Sequence, residues 1–260
     1  MTNNILVTFG CSWTFGEGSG YIDGMSENEY REIQHDTKIC YDNSWRKILV
    51  DHYNLIHINF SVPGSSNQRQ FKTAKEYFVT EEWKKLISDR KNNVIVLWGI
   101  TSTYRNYFWC KDIKRYENIF YKVDETEFKY NKYQDKLAEA MMSWSYVKEV
   151  EVEVLKNEIL FFNQYFKLVG VKNMWFDTFN SLDYKEKFDN FLDQYKEQRD
   201  LLSMLCYEHA RKLNGRLVLN NNFKYAEENG LINLISFHPK KEQYKIIGEY
   251  FIRKLKKYFK

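Results

Sequence analysis

The sequence predicts an α/β fold, a parallel sheet covered on both faces by helices, with function at the C-terminal ends of the strands. Short apolar runs alternate along the chain with segments of helical periodicity. The clearest run, Val94-Ile95-Val96-Leu97-Trp98, is unbroken and β-branched, as a strand buried on both faces should be. Three predicted strand ends carry glycine, Gly10, Gly64 and Gly99, and a parallel sheet gathers such ends on one rim.

Ile5-Leu6-Val7 opens the pattern as a short buried strand running to Phe9, and Gly10 allows a sharp turn that lifts Ser12 to the rim. Gly16-Glu17-Gly18-Ser19-Gly20 follows as a flexible loop. It lacks Gly-Lys-Ser/Thr and an apolar helical pattern behind it, which argues against a phosphate-binding loop. Residues 26–39 are polar and read as irregular or partly helical. Asn43 or Ser44 can cap a helix through about Tyr53, in which Trp45, Ile48, Leu49 and His52 or Tyr53 repeat at helical spacing. Residues 55–60 alternate as a strand, Ser61-Val62-Pro63-Gly64-Ser65-Ser66-Asn67 turns, and Ser65 or Ser66 caps a helix over about 67–77. Residues 83–88 are a further helical piece, and the strand at 94–98 ends in Gly99-Ile100-Thr101-Ser102-Thr103.

The stretch 104–132 is aromatic and charged, with a hairpin of 118–123 against 127–130 turning at Asp124-Glu125. A long helix is expected over 134–166, bent near 143–145, and then a strand over 171–176 ending at Asp177. Helices near 184–190 and 193–213 lead to the stop signal Asn214-Gly215, followed by a short strand at 217–219. In the last helix, running to about Tyr258, Tyr244, Ile247, Phe251, Leu255 and Tyr258 share one apolar face. Pro239 suits its first position, which sets His238 at its N-terminal edge.

At 260 residues the chain can form one large domain, and no Pro/Ser-rich linker divides it. One domain is expected, with insertions at about 104–150 and 180–215. The net charge of +4 comes from 39 basic residues interleaved with 35 acidic ones, which does not point to nucleic acid. The cluster Arg253, Lys254, Lys256, Lys257 and Lys260 falls in the last turns of a helix, where cations complement the dipole. The N-terminal residues lack a signal peptide's basic and apolar regions, and no long apolar segment reads as a membrane span. A soluble, cytoplasmic protein is expected. Cys11, Cys40, Cys110 and Cys206 are scattered, with no zinc or disulfide spacing, and read as free thiols. His35, His52, His57 and His209 have no partner at ligand spacing and read as structural or surface groups. No metal or cofactor is expected. Aromatic residues make up 18%, enough to line a sugar-binding groove, although diffuse Tyr and Phe among Lys and Asn also fit plain compositional bias.

Four blocks, in order, resemble the SGNH (GDSL) hydrolase superfamily, in particular its variants in viral and bacterial genomes that carry Gly-x-Ser-x-Thr and Pro-Gly-Ser-Ser-Asn. Gly10-Cys11-Ser12-Trp13-Thr14-Phe15-Gly16 is similar to the family's first block, and Asn59-Phe60-Ser61-Val62-Pro63-Gly64 to its second. The strand at 94–98 with Gly99-Ile100-Thr101-Ser102 resembles the third, and Ile235-Ser236-Phe237-His238-Pro239 the last.

The resemblance implies a three-layer, flavodoxin-like α/β/α fold and a serine esterase, with a small-molecule or carbohydrate ester as substrate, an O-acyl group on a sugar being the expected one. Ser12 would attack the ester carbonyl and His238 would take and return the proton. The positive end of the last helix would help keep His238 neutral. The oxyanion would lie against the N–H groups of Ser12 and Gly64 and a third donor. The family's asparagine in that third position is Thr101 here, and Asn67 or Arg105 could substitute; Trp13 and Arg105 are candidates for contact with substrate. Ile235 stands where the family has an aspartate before the histidine. Asp177 could orient the imidazole from a neighbouring strand end, or a backbone carbonyl could leave a Ser–His dyad. Cys11 stands beside the nucleophile in place of the family's aspartate. Two other readings share these blocks: a weak or inactive protein that binds a sugar or a partner chain at the rim, and an acyltransferase.

Overall fold

The computed structural model describes residues 2–103, 105–110, 115–120, 148–178, 188–192, 200–212 and 222–259. The chain runs β1 (Asn3–Phe9), α1 (Ser12–Phe15), α2 (Glu27–Ile33), α3 (Thr37–Asp42), α4 (Trp45–Tyr53), β2 (Ile56–Asn59), α5 (Asn67–Phe78), α6 (Glu81–Ser88), β3 (Asn92–Ile100), β4 (Arg105–Cys110) and β5 (Arg115–Phe120). It continues through α7 (Lys148–Val169), β6 (Lys172–Asp177), α8 (Leu201–Lys212), α9 (Asn222–Glu228) and α10 (Lys241–Leu255).

Among the described residues four strands form one parallel sheet in the order β2-β1-β3-β6. Because successive side chains alternate between faces, each central strand feeds two cores. Ile5, Val7, Phe9, Val96, Trp98 and Trp175 face Phe71 and Phe78 of α5, Trp83 of α6 and Phe162 and Phe166 of α7. Leu6, Ile95, Leu97, Met174 and Phe176 face α4, α8, α9 and α10 through residues such as Trp45, Leu205, Ala226 and Phe251. The result is three layers, α/β/α. Burying each of these large apolar side chains contributes about 1.5–3 kcal/mol, and this is why the strand at 94–98 has no polar position.

The helix starts follow local rules. Ser66 caps α5 by accepting from the Arg69 N–H, and Thr80 caps α6 through the Trp83 N–H. Ser44 is the N-cap residue of α4, although its hydroxyl instead donates to the Tyr41 carbonyl. The polar segment 26–39 holds one short helix and the start of a second: Ser26 and Glu29 form a capping box at α2, and Asp36 caps α3.

Several expectations shift. A hairpin pairs Arg105–Cys110 antiparallel to Arg115–Phe120, while the second arm of the expected one, 127–130, is outside the described residues. The proposed turn at Asp124-Glu125 is outside the described residues. Of the helix expected over 184–190, only 188–190 is described, and it is not helical. Instead Phe191 bridges to Trp175, the Trp175 N–H reaches Asn190 O and the Leu192 N–H reaches Trp175 O. The edge of β6 thus draws that segment into strand-like pairing. The strand expected at 217–219 and the stop at Asn214-Gly215 are outside the described residues, as are 121–147 within the first proposed insertion and 181–187 within the second.

The last helix begins at Lys241, two residues later than the Pro239 position predicts, because Pro239 is drawn into an antiparallel bridge with Ile232. Among the described residues no helix is long and apolar enough to cross a membrane.

Gly10 and Gly99 serve close packing more than turning. A Cβ on Gly10 would sit 2.0 Å from Thr14 Oγ1, and one on Gly99 would lie 2.4 Å from the same atom and 2.8 Å from the Phe176 ring. Thr14 therefore sits against both positions, at the ends of adjacent strands. Gly99→Ala is expected to destabilise the fold by about 1–3 kcal/mol through overpacking, read as a lower denaturant midpoint at unchanged slope.

Candidate active site

The chain leaves β1 at Phe9 and turns through Gly10 and Cys11 into α1, a single helical turn that Ser12 opens. So short a helix cannot satisfy its own carbonyls, and neighbours do it instead. The Gly16 and Glu17 N–H groups both reach Ser12 O, the Trp45 indole donates to Trp13 O at 3.2 Å, and the buried Arg46 guanidinium donates to Phe15 O. These bonds fix the backbone that carries the Ser12 hydroxyl.

The opposite side of the site is a tight loop closed by Asn233. Its N–H and its Nδ2 both donate to His238 O, and its Oδ1 accepts from the Ser236 N–H and hydroxyl. Phe237 takes φ +58 within this loop, and Ser236 Oγ hydrogen-bonds Tyr30 at 2.8 Å. The outcome is one contact between residues 226 positions apart: Ser12 Oγ and His238 Nε2 lie 2.6 Å from each other.

His238 is mostly buried, with 14% of its side chain exposed. Burial pushes its pKa below the ordinary 6.5, against the nearby Glu17 charge, which raises it; Arg105 adds to the lowering. The neutral ring is therefore favoured for a reason other than the expected one. Desolvation dominates, while the N-terminus of α10 is three residues further on. Among the described residues Nδ1 is buried without a complete hydrogen bond, and the Ser236 backbone beside it favours the protonated ring.

Glu17 is the residue that sequence reading missed. Its buried carboxylate places Oε2 3.7 Å from His238 Nε2, and Oε1 accepts from Gln34 Nε2 and lies 3.8 Å from His35 Nε2. Burial alone would raise its pKa, but the nearby charges of His238 and His35 and the hydrogen bond from Gln34 bring it below 4.5. The one available signal is a charged residue flanked by glycines directly after the Ser12 turn. Gly16 and Gly18, at φ +94 and +93, fold that loop back beneath the histidine.

Other expected site residues fare differently. Gly64 occupies a turn at φ +69, with the loop held to β1 by the Val62 N–H on Gly10 O. Thr101 is not positioned as a third donor: it is fully buried, its N–H goes to Asn67 Oδ1 at 2.9 Å and its hydroxyl meets no acceptor among the described residues. Asn67 clasps the Thr101 backbone from both sides, Nδ2 donating to Thr101 O at 2.8 Å, which leaves that nitrogen one further hydrogen. Trp13 is buried in the core, 3% exposed, and does not line the rim. Asp177 is fully buried at the end of β6, and among the described residues no hydrogen bond or ion pair joins it to His238, so it does not orient the imidazole as the third member of a triad would. Arg105, whose charge reaches His238, also lines a cavity of about 370 Å³ together with Asn67, Phe71, Thr103, Val154 and Leu155. Among the described residues no cluster of His, Cys, Asp and Glu is arranged to hold a metal. Cys11, Cys40 and Cys206 are free and buried.

No family model matches the sequence, and no curated protein matches it. Solved structures do. A member of the lipolytic protein G-D-S-L family from Veillonella parvula aligns at 12% identity over 96% of this chain and 97% of its own, with a TM-score of 0.39. The lipase/acylhydrolase from Enterococcus faecalis aligns at 12% identity over 100% and 98%, with a TM-score of 0.39. An acetyl xylan esterase from Butyrivibrio proteoclasticus aligns at 12% identity over 98% of this chain and 65% of its own, with a TM-score of 0.43.

Proposed function

We propose that this chain is a serine ester hydrolase of SGNH type, with Ser12 as nucleophile and His238 as general base. The observation that carries the reading is the 2.6 Å approach of Ser12 Oγ to His238 Nε2 at the C-terminal rim of the sheet. A hydroxyl is a poor nucleophile until a base accepts its proton, and a buried imidazole held neutral is suited to do so. As the Ser12 Oγ–carbon bond forms, the carbonyl π pair moves to oxygen and the Oγ proton passes to Nε2. The developing oxyanion is assigned to the N–H groups of Ser12, the first residue of α1, and Gly64, with the second Nδ2 hydrogen of Asn67 as the further donor. Collapse breaks the ester C–O bond, and Nε2 returns the proton to the leaving alcohol. Water then repeats the sequence to release the acid. An O-acyl group on a carbohydrate is the substrate class the family resemblance suggests, and the cavity beside Asn67 and Arg105 is the place assigned to it.

A fluorophosphonate probe is expected to label the wild-type chain and not Ser12→Ala. Folded protein that takes no label would favour the second reading, a binding protein on the same fold, which the incomplete hydrogen bonding of His238 Nδ1 supports. The acid limb of kcat/KM on p-nitrophenyl acetate is expected to have its midpoint below pH 6.5, because the reactive form is the neutral imidazole and burial lowers its pKa. A midpoint above 6.5 in a pH–rate profile would contradict that assignment.

A further inference from the structure

We infer that Glu17 is the charge partner of His238 in the proposed reaction, a positioning carboxylate supplied by the nucleophile's own loop and acting at Nε2. The inference rests on the Ser12–His238 reading and explains how such a site works with Ile235 where the resemblance expects an aspartate.

A carboxylate only 4% exposed is costly unless a positive charge meets it. Among the described residues no lysine or arginine pairs with Glu17; its ion-pair partners are His35, whose side chain is 63% exposed, and His238. The site therefore buries a negative charge 3.7 Å from an imidazole whose own surroundings disfavour protonation. That arrangement fits a transient cation. When Ser12 passes its proton to Nε2, the imidazolium formed faces Glu17 Oε2 in a poorly solvated pocket, where the attraction is stronger than in water. Glu17 takes no proton at any step, and the proton goes on to the leaving oxygen.

The carboxylate is held for this position from both ends. The Glu17 N–H donates to Ser12 O at 3.0 Å, and the Tyr244 hydroxyl donates to Glu17 O at 2.8 Å. Gln34 and His35, following α2, hold Oε1 and leave Oε2 toward the histidine. The other titratable groups within its influence are Tyr30, Cys40 and Tyr244, each pushed upward and hence neutral near pH 7. Arg105, on β4, and His35 are the remaining charges acting on His238, and both oppose its protonation. Glu17 is thus the one carboxylate acting on the ring among the described residues.

The test is the titration of His238 by NMR in wild type, Glu17→Gln and Glu17→Asp, beside the pH profile of kcat/KM on p-nitrophenyl acetate. Removing the charge leaves burial, Arg105 and His35 opposed only by the Ser236 backbone, so the midpoint is expected to fall in Glu17→Gln by roughly one pH unit. The acid limb should follow it downward, and the plateau should drop about tenfold, the factor equivalent to one unit. Glu17→Asp keeps the charge but withdraws it by one methylene, and should move both quantities the same way by less; it also decides the matter if the Gln variant does not fold. A lowered plateau with an unmoved midpoint would reduce Glu17 to a structural group and overturn the inference. If wild type shows no Ser12-dependent turnover the esterase reading fails separately, and the NMR midpoint still reports whether Glu17 acts on His238.

Discussion

Ser12→Ala is expected to lower kcat on p-nitrophenyl acetate by about 10⁴–10⁶-fold with the fold intact, and His238→Ala by a similar factor. The two groups act on one proton, so either loss removes the same step. The double variant should be about as slow as each single one, since effects within such a unit do not add. Ser12 is 2% exposed and makes its described side-chain hydrogen bond to His238 alone, so truncation to alanine leaves only the Nε2 acceptor without that partner, at a cost of about 1 kcal/mol. Circular dichroism and denaturant midpoints should stay close to wild type. Activity that survives both substitutions would place the chemistry elsewhere.

Gly18→Ala is expected to cost about 10²-fold in kcat/KM by a different route. A Cβ at this position would lie 2.5 Å from His238 Cβ and 2.7 Å from Pro239 O, one contact on the proposed base and the other on the backbone behind it. The histidine loop has to retreat, and a displacement on the order of 1 Å between reacting groups is enough for a loss of that size. The residue also sits at φ +93, where any side chain adds about 1–2 kcal/mol of backbone strain. Gly24→Ala separates the two effects. Gly24 has φ +91, and its built Cβ meets nothing within 4 Å, so it carries the strain without the collision. It should lose stability and keep activity. Equal loss of activity in both variants would show that strain, and not displacement of His238, is responsible.

Much of this fold is legible because the rules that set it are local. The unbroken run at 94–98 can only be a strand covered on both sides, and β3 lies between β1 and β6 with its residues divided between two cores. Ser66 caps α5 by the short-range bond its place in the chain predicts. Where a distant contact intervenes, the local rule gives way. The preference of proline for a first helical position is overridden at Pro239, which pairs with Ile232 through a contact set by the loop that Asn233 closes.

The site divides in the same way. Ser12 and His238 stand out in the sequence because a turn serine after a buried strand and a histidine beside a rare proline are conspicuous, and the structure brings their side chains into contact. Trp13, a candidate for contact with substrate, faces the core because the helical turn after Ser12 points it inward. Asp177 ends a strand on the same sheet, yet the closing loop of His238 approaches from the side of α2 and α10, where Glu17 lies, and no bond between His238 and Asp177 is present among the described residues.

The sequence by itself therefore determined the layered architecture, the strand ends that form the rim, and the serine and histidine that meet there. These follow from apolar periodicity and from residues with few conformational alternatives, and both are written locally. Only the tertiary structure decided which carboxylate faces the imidazole and what keeps that ring neutral. A charge acts through distance and desolvation, and two glycines at positive φ set both by folding Glu17 back beneath His238.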